Sequence, residues 1–178
     1  MNYFKIIPIL IFTSLSYSQS EENYYNIIDS ISENRIESDI KKLVSFGTRH
    51  TLSDTISITT GIGAARRWIK KSFKDISSNC NNCLEVSYQK NYFIKNKRRL
   101  IKDVWINNVI AIQRGLVNPN RYIIMSGDID SRVSDPNNYT SLSPGANDNA
   151  SGMAGVIEAA RVLSLSLIHI SEPTRQFR

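Results

Sequence analysis

Residues 121–163 read RYIIMSGDIDSRVSDPNNYTSLSPGANDNASGMAGVIEAARVL, and this stretch decides the fold class. It opens on a short continuous apolar run, Tyr122 to Met125, of the length and composition expected for a strand buried on both faces. It closes on Met153, Val156, Ile157, Ala160 and Leu163, the spacing of one helix face. A buried strand joined to a helix is the building unit of α/β folds. Three carboxylates, Asp128, Asp130 and Asp148, lie on the connection. Open α/β sheets form their sites at the carboxyl ends of strands, where Asp128 and Asp130 fall. Two residues apart on an extended backbone, they point to the same side. Asp148 stands at the start of the helix, where the dipole favours an ionised carboxylate. Pro144 and Gly145 shape the approach, and Gly152 and Gly155 are expected to let the helix lie close to the sheet.

Three acids gathered at one point repel unless a cation or a proton compensates. A divalent ion such as zinc, manganese or magnesium is one answer. Asp is also favoured as a helix cap and as a turn residue, so spacing alone leaves the structural reading open beside the metal reading.

Upstream, Ile27, Ile28 and Ile31, then Ile36, Ile40, Leu43 and Val44, fall at helical spacings. They predict two helices broken near Asn34 and stopped at Gly47. A polar loop follows. Next, IGAARRWIKKSFKDI predicts a basic amphipathic helix burying Ala65, Trp68, Ile69 and Phe73. LEVSYQKNYFI and DVWINNVIAIQRG are rich in β-branched and aromatic residues and predict a hairpin with a basic tip. The whole pattern is α/β.

The 178 residues fit one domain. MNYFKIIPILIFTSLSYSQS carries Lys5, an apolar run and small residues at Ser16 and Ser18. It predicts a secretory signal over residues 1–18 and an exported protein, periplasmic or extracellular, with no membrane span. The formal charge of +6 is too small an excess to argue for a nucleic-acid partner. The densest basic run, residues 90–102, reads as a solvated hairpin tip rather than a single-strand binding surface. Cys80 and Cys83, the only cysteines, predict a short-loop disulfide in an oxidising compartment. The sequons at Asn138 and Asn149 are read as unmodified.

SPGANDNASGMAGVIEAARVL resembles the signature of the secreted zinc exopeptidases of metallopeptidase family 28, the aminopeptidase group. The similarity continues through VSFGTRHTLS, GIGAARRWI and NNVIAIQRG, roughly residues 40–163. The resemblance implies a mixed β-sheet flanked by helices, of the phosphorylase/hydrolase-like kind and here truncated. It also implies two zinc ions, a bridging aspartate matching Asp148, and peptide or protein N-termini as substrates. In such sites a water clamped between ions ~3.5–4 Å apart attacks the peptide carbonyl. Glutaminyl cyclisation or another zinc amidohydrolase reaction is the alternative within the fold. A non-catalytic exported binding module is the alternative outside it.

Two departures follow. The family's His-x-Asp metal motif reads Asp128-Ile129-Asp130 here. Asp128 stands in place of the histidine ligand, and Asp130 matches the supporting aspartate. A carboxylate binds zinc at distances similar to imidazole, but its charge is expected to raise the pKa of a bound water and favour a harder metal. The general-base glutamate and the later ligands are expected beyond the chain end, so this chain is expected to be inactive. Neither His50 nor His169 replaces them: His50 reads as a surface or hydrogen-bonded loop residue. The last stretch, SLSLIHISEPTRQFR, breaks the helical pattern after Leu163 and resembles translated sequencing-adapter sequence. Residues 19–164 are therefore expected to be the N-terminal part of the peptidase domain, and 165–178 a non-native tail.

Overall fold

The computed structural model describes residues 25–96, 100–115 and 118–165. The leader at residues 1–18 and the tail from 166 onward lie outside them. Two units separate, Met1–Ile31 and Ser32–Arg178. In the first, residues 25–29 form a helical turn.

The second unit is an α/β arrangement, as its sequence predicts. Helix α1 spans Glu33–Ser45, α2 spans Gly61–Asn79 and α3 spans Ser151–Ser164; strands β1, Leu84–Phe93, and β2, Val104–Gln113, form an antiparallel pair. Ser32 caps α1, its hydroxyl accepting the Arg35 N–H at 3.3 Å. The break in the upstream helical pattern thus falls just before Ser32, and Asn34 sits inside the first turn of α1. Gly47 ends the helix in the left-handed region, with φ +68° and its N–H 3.0 Å from the Val44 carbonyl.

One core cluster joins Leu43 of α1, Ile69, Phe73 and Ile76 of α2, and Ala150, Met153 and Ile157 at and within α3. Leu84, Val86, Val109 and Ala111 of the hairpin pack against it, as does Ile129. The stripe expected on α2 is the buried one, with Ala65, Ile69 and Phe73 enclosed and Trp68 partly so. The register pairs Val86 with Ala111 and Tyr88 with Val109, which puts these core contacts on one face of the hairpin.

Gly63 has no room for a side chain: a Cβ there would lie 2.2 Å from the Thr55 carbonyl oxygen and 2.5 Å from the Thr55 Cα. Since the obstacle is backbone, Gly63→Ala must displace the 54–55 loop or the first turn of α2. A clear drop in the melting temperature is expected, and an unchanged melt would contradict this packing.

The disulfide is present between Cys80 and Cys83, Cα atoms 5.5 Å apart. Asn81 and Asn82 take left-handed φ values of 57° and 61° to close the turn, a region asparagine tolerates. Ser77 fastens that turn to β1, its hydroxyl donating to the Leu84 carbonyl at 2.9 Å and accepting the Leu84 N–H at 3.1 Å. So short a closed loop removes little unfolded-state entropy, so reduction should cost no more than about 2 kcal/mol. Denaturant unfolding with and without dithiothreitol checks this; collapse on reduction would contradict it.

Four charged side chains join α1 to α3. Glu158, only 2% exposed, accepts from Arg35 Nε at 3.1 and 3.0 Å, from the Ser32 N–H at 2.8 Å and from Arg161 Nη1 at 3.1 Å. Arg161 also donates to both oxygens of Asp39, at 2.6 and 3.2 Å.

Two expectations are corrected. Residues 121–127 are not a buried strand: no residue from 121 to 130 is in a strand, and Ile123 and Ile124 are 93% and 87% exposed. An apolar run becomes a buried strand only where neighbouring strands take up its backbone N–H and C=O groups. Among the described residues β1 and β2 pair with each other alone. Gly155 is not a close-approach glycine either, since a Cβ added there meets nothing within 4 Å. The close approach is made by Gly127, whose added Cβ would lie 2.9 Å from the Met153 Cα.

Candidate metal-site loops

Arg49 organises the loops that carry the three aspartates. Its residue is fully buried. Its Nε donates to the Ile129 carbonyl at 3.0 Å, Nη1 to the Leu43 and Pro144 carbonyls at 2.9 and 2.6 Å, and Nη2 to the Gly145 carbonyl at 3.0 Å. One guanidinium thus ties the end of α1 to both site loops. Burial lowers the Arg49 pKa from its ordinary value, opposed by the nearby charge of Asp130. Arginine stays protonated under any such shift.

Ser131 completes the fastening. Its hydroxyl accepts the Arg49 N–H at 3.0 Å and donates to the Ser143 carbonyl at 2.6 Å, and its own N–H reaches the Arg49 carbonyl at 3.3 Å. Gly145, at φ +51°, lies so close that a Cβ would sit 2.5 Å from the Asp148 carbonyl oxygen and 2.6 Å from the Ser131 Cβ. This is the role expected of Gly145 in shaping the approach. Gly127, lying against Met153 and Gly152, brings the first loop to the start of α3.

The aspartates stand on this frame. Ile129 packs into the core, while Asp128 on one side of it is exposed and Asp130 on the other is half-buried. Asp148 is exposed, in a wide turn, Ala146–Ala150, that precedes α3. Its φ and ψ of −117° and 95° are not helical, and its peptide bond to Asn149 is cis. The side chain that takes up a free N–H at the start of α3 is Asn149's, with Oδ1 3.1 Å from the Gly152 N. Gly152 leaves room for it, since a Cβ there would come within 2.3 Å of that oxygen. The capping role open to Asp148 from its position thus belongs to its neighbour.

His50 is a hydrogen-bonded loop residue, 5% exposed. Its Nδ1 accepts the Leu52 N–H at 3.0 Å and its Nε2 faces the Pro136 carbonyl at 3.1 Å. Both ring nitrogens are therefore engaged, and neither offers a lone pair to a metal. His169 lies outside the described residues.

The structure brings the backbones of the two acid-bearing loops together, but among the described residues no group of three or more His, Cys, Asp or Glu side chains could hold a metal ion. A tetrahedral zinc site takes three or four protein ligands. The described residues do not by themselves fit zinc. Arg49 and Ser131 were not legible as site-building residues, because arginine and serine at loop positions ordinarily face water; Asn149 was legible as part of the PGANDNASG motif, but not as the side chain that takes up the Gly152 N–H. The only signal near Arg49 was the FGTRH stretch, which carries no spacing rule of its own.

Comparison with known proteins gives a consistent picture. The profile of peptidase family M28 matches residues 108–175, a range that overlaps the 165–178 tail. The chain is 46% identical over 138 residues to a probable zinc metalloprotease of Pyrenophora teres f. teres, covering 78% of this chain and 28% of that protein. A probable zinc metalloprotease of Leptosphaeria maculans is 45% identical over 144 residues, covering 81% and 33%. A third, from Pyricularia oryzae, is 42% identical over 130 residues, covering 73% and 26%. The chain thus spans about a third or less of the length of the curated relatives it matches.

Proposed function

We propose, from the premise that this chain belongs to peptidase family M28, that it is the N-terminal portion of an exported zinc metallopeptidase that removes residues from peptide N-termini. The carrying observation is the buried Arg49 clamp, which fastens the 127–131 and 143–148 segments together and leaves Asp128 and Asp148 exposed. On this reading Asp148 and Asp128 are two of the metal ligands and Asp130, beside Arg49, supports them. Zinc is the metal in the names of these relatives. Two ions are what the family resemblance implies.

Because the described ligand set is incomplete, no hydrolytic step is assigned to these residues. Their contribution is to hold two carboxylates at fixed positions for ligands from the rest of the protein. The alternative to this reading is a non-catalytic exported module of the same fold.

The test joins residues 1–164 to the remaining length of the Pyrenophora teres relative and compares leucine p-nitroanilide with its N-acetylated analogue. Hydrolysis confined to the free-amine substrate is expected. Equal cleavage of both would remove the aminopeptidase reading, and a folded, zinc-loaded protein that cleaves neither would leave the non-catalytic module. In the same protein Asp128→His should shift the pH–rate profile to lower pH, because a neutral ligand in place of a carboxylate makes a bound water more acidic. An unmoved profile would sink the ligand role of Asp128.

A further inference from the structure

The Asn-x-Ser/Thr pattern occurs at Asn138-Tyr139-Thr140 and at Asn149-Ala150-Ser151, and the residues alone treat the two alike. Their surroundings differ. We propose that Asn138 is the acceptor of an N-linked oligosaccharide in the exported protein and that Asn149 stays unmodified. This rests on the export reading, with which the Cys80–Cys83 bridge agrees, since such bonds persist in oxidising compartments.

Asn138 lies between the two site loops and is partly exposed, with Thr140 exposed. Its Oδ1 accepts the Thr140 N–H at 3.3 Å, the Thr140 hydroxyl at 3.4 Å and the Ser141 N–H at 3.0 Å. That is an Asx turn, and it lays the hydroxyl of the pattern on the amide that is modified. The Asn138 Nδ2 spends one hydrogen on Ser141 Oγ, at 2.8 Å. An amide nitrogen carries two, so a sugar can replace the other with the turn kept. Tyr139 ties this stretch to the fold, its ring centroid 6.3 Å from that of His50 and 4.2 Å from Lys102 Nζ.

Asn149 is placed in the opposite way. Its Oδ1 takes up the Gly152 N–H at 3.1 Å, and its Nδ2 lies 2.7 Å from where a Gly152 Cβ would stand. The Ser151 hydroxyl donates to the Asn147 carbonyl at 2.9 Å rather than to this amide. A sugar on Asn149 must displace the start of α3, whereas one on Asn138 leaves its turn in place.

The donor is a lipid pyrophosphate-linked oligosaccharide. A C–N bond forms between Asn138 Nδ2 and the anomeric carbon, and the bond from that carbon to the pyrophosphate breaks. The pyrophosphate leaves with the electron pair, and Nδ2 gives up one proton. The product is a bulky, solubilising group on a surface loop.

The test is expression of the 178-residue chain in yeast, with electrophoresis of material from the medium and microsomes before and after peptide N-glycosidase. An enzyme-sensitive shift to larger size is expected. Asn138→Gln and Thr140→Ala should remove it, Thr140→Ser should keep it, and Asn149→Gln should leave it unchanged. A parallel chain carries residues 19–178 behind the host's own secretion leader, which separates failure of export from failure of the proposal. Unmodified protein from that second form would overturn the proposal. A shift that Asn138→Gln retains, or that Asn149→Gln removes, would overturn it as well. Modification of the second form alone would uphold Asn138 as the acceptor and remove only the reading of residues 1–18 as a leader.

Discussion

Arg49→Leu should strongly destabilise the second unit. The leucine fills part of the volume but donates nothing to the carbonyls of Leu43, Ile129, Pro144 and Gly145. A buried acceptor left unsatisfied costs about 1–3 kcal/mol. Pro144 is exposed, so water can reach its carbonyl, and the Leu43 and Gly145 carbonyls keep the Phe46 and Ala150 N–H groups. The loss lies in the stranded Ile129 carbonyl and in four hydrogen bonds from a charged donor, each worth about 1.5–3 kcal/mol. The combined loss of more than about 3 kcal/mol is a large share of the 5–15 kcal/mol typical of a domain. Buried ion pairs can often be replaced by apolar residues because both partners go together. Here the partners are backbone, and no substitution removes them. Arg49→Lys should fall between, since an ammonium keeps the charge but has three donors and no planar fork. Thermal melts by circular dichroism decide it: a leucine variant melting within a few degrees of the parent would show that the guanidinium is not what holds these loops.

Glu158→Ala should be the second large loss, about 3 kcal/mol at neutral pH, the lower end for breaking a buried pair. The lower end applies because Arg35, whose side chain is 45% exposed, can return to water, whereas Arg161 is more enclosed and keeps Asp39. The pH dependence follows from the same contacts. Burial pushes the Glu158 carboxyl up, but hydrogen bonds from Arg35, the Ser32 N–H and Arg161 outweigh it and hold the group below its ordinary value. A carboxyl depressed in the folded state stabilises fully above its unfolded pKa, near 4.3, and that stability is lost as pH falls through the folded value. The parent should therefore weaken on acidification below about pH 4, while the alanine variant, already lacking the contact, loses less. Denaturant midpoints at neutral pH and below pH 4 measure this. A gap between the two proteins that stays constant with pH would contradict it.

Most of the fold was legible because its signals are local. The periodicity of Ile69 and Phe73, the stop at Gly47 and the alternation around the basic tip each depend on neighbours within a few residues. The exposed run at Tyr122–Met125 was misread because burial of a strand is decided by partners elsewhere, and the same residues in isolation look identical. Glu158 sits within the helical pattern beside Ile157, and nothing near it announces that its partners are Ser32 and Arg35. Arg49 is the same case at the candidate site. The aspartates were legible as candidates because three acids fall on the one connection between an apolar run and a helix, but the guanidinium that positions their loops has no sequence signature.

Metal content of the fused protein, residues 1–164 joined to the remaining length of the Pyrenophora teres relative, tests the central claim most directly. After metal removal and reloading with zinc, the fused protein is expected to retain zinc and its Asp148→Asn variant to lose most of it, while the 178-residue chain alone retains none in stoichiometric amount. A folded fused protein that holds zinc equally well with and without the Asp148 carboxylate would contradict the assignment of that residue as a ligand and, with it, the reading of these loops as half of a metal site.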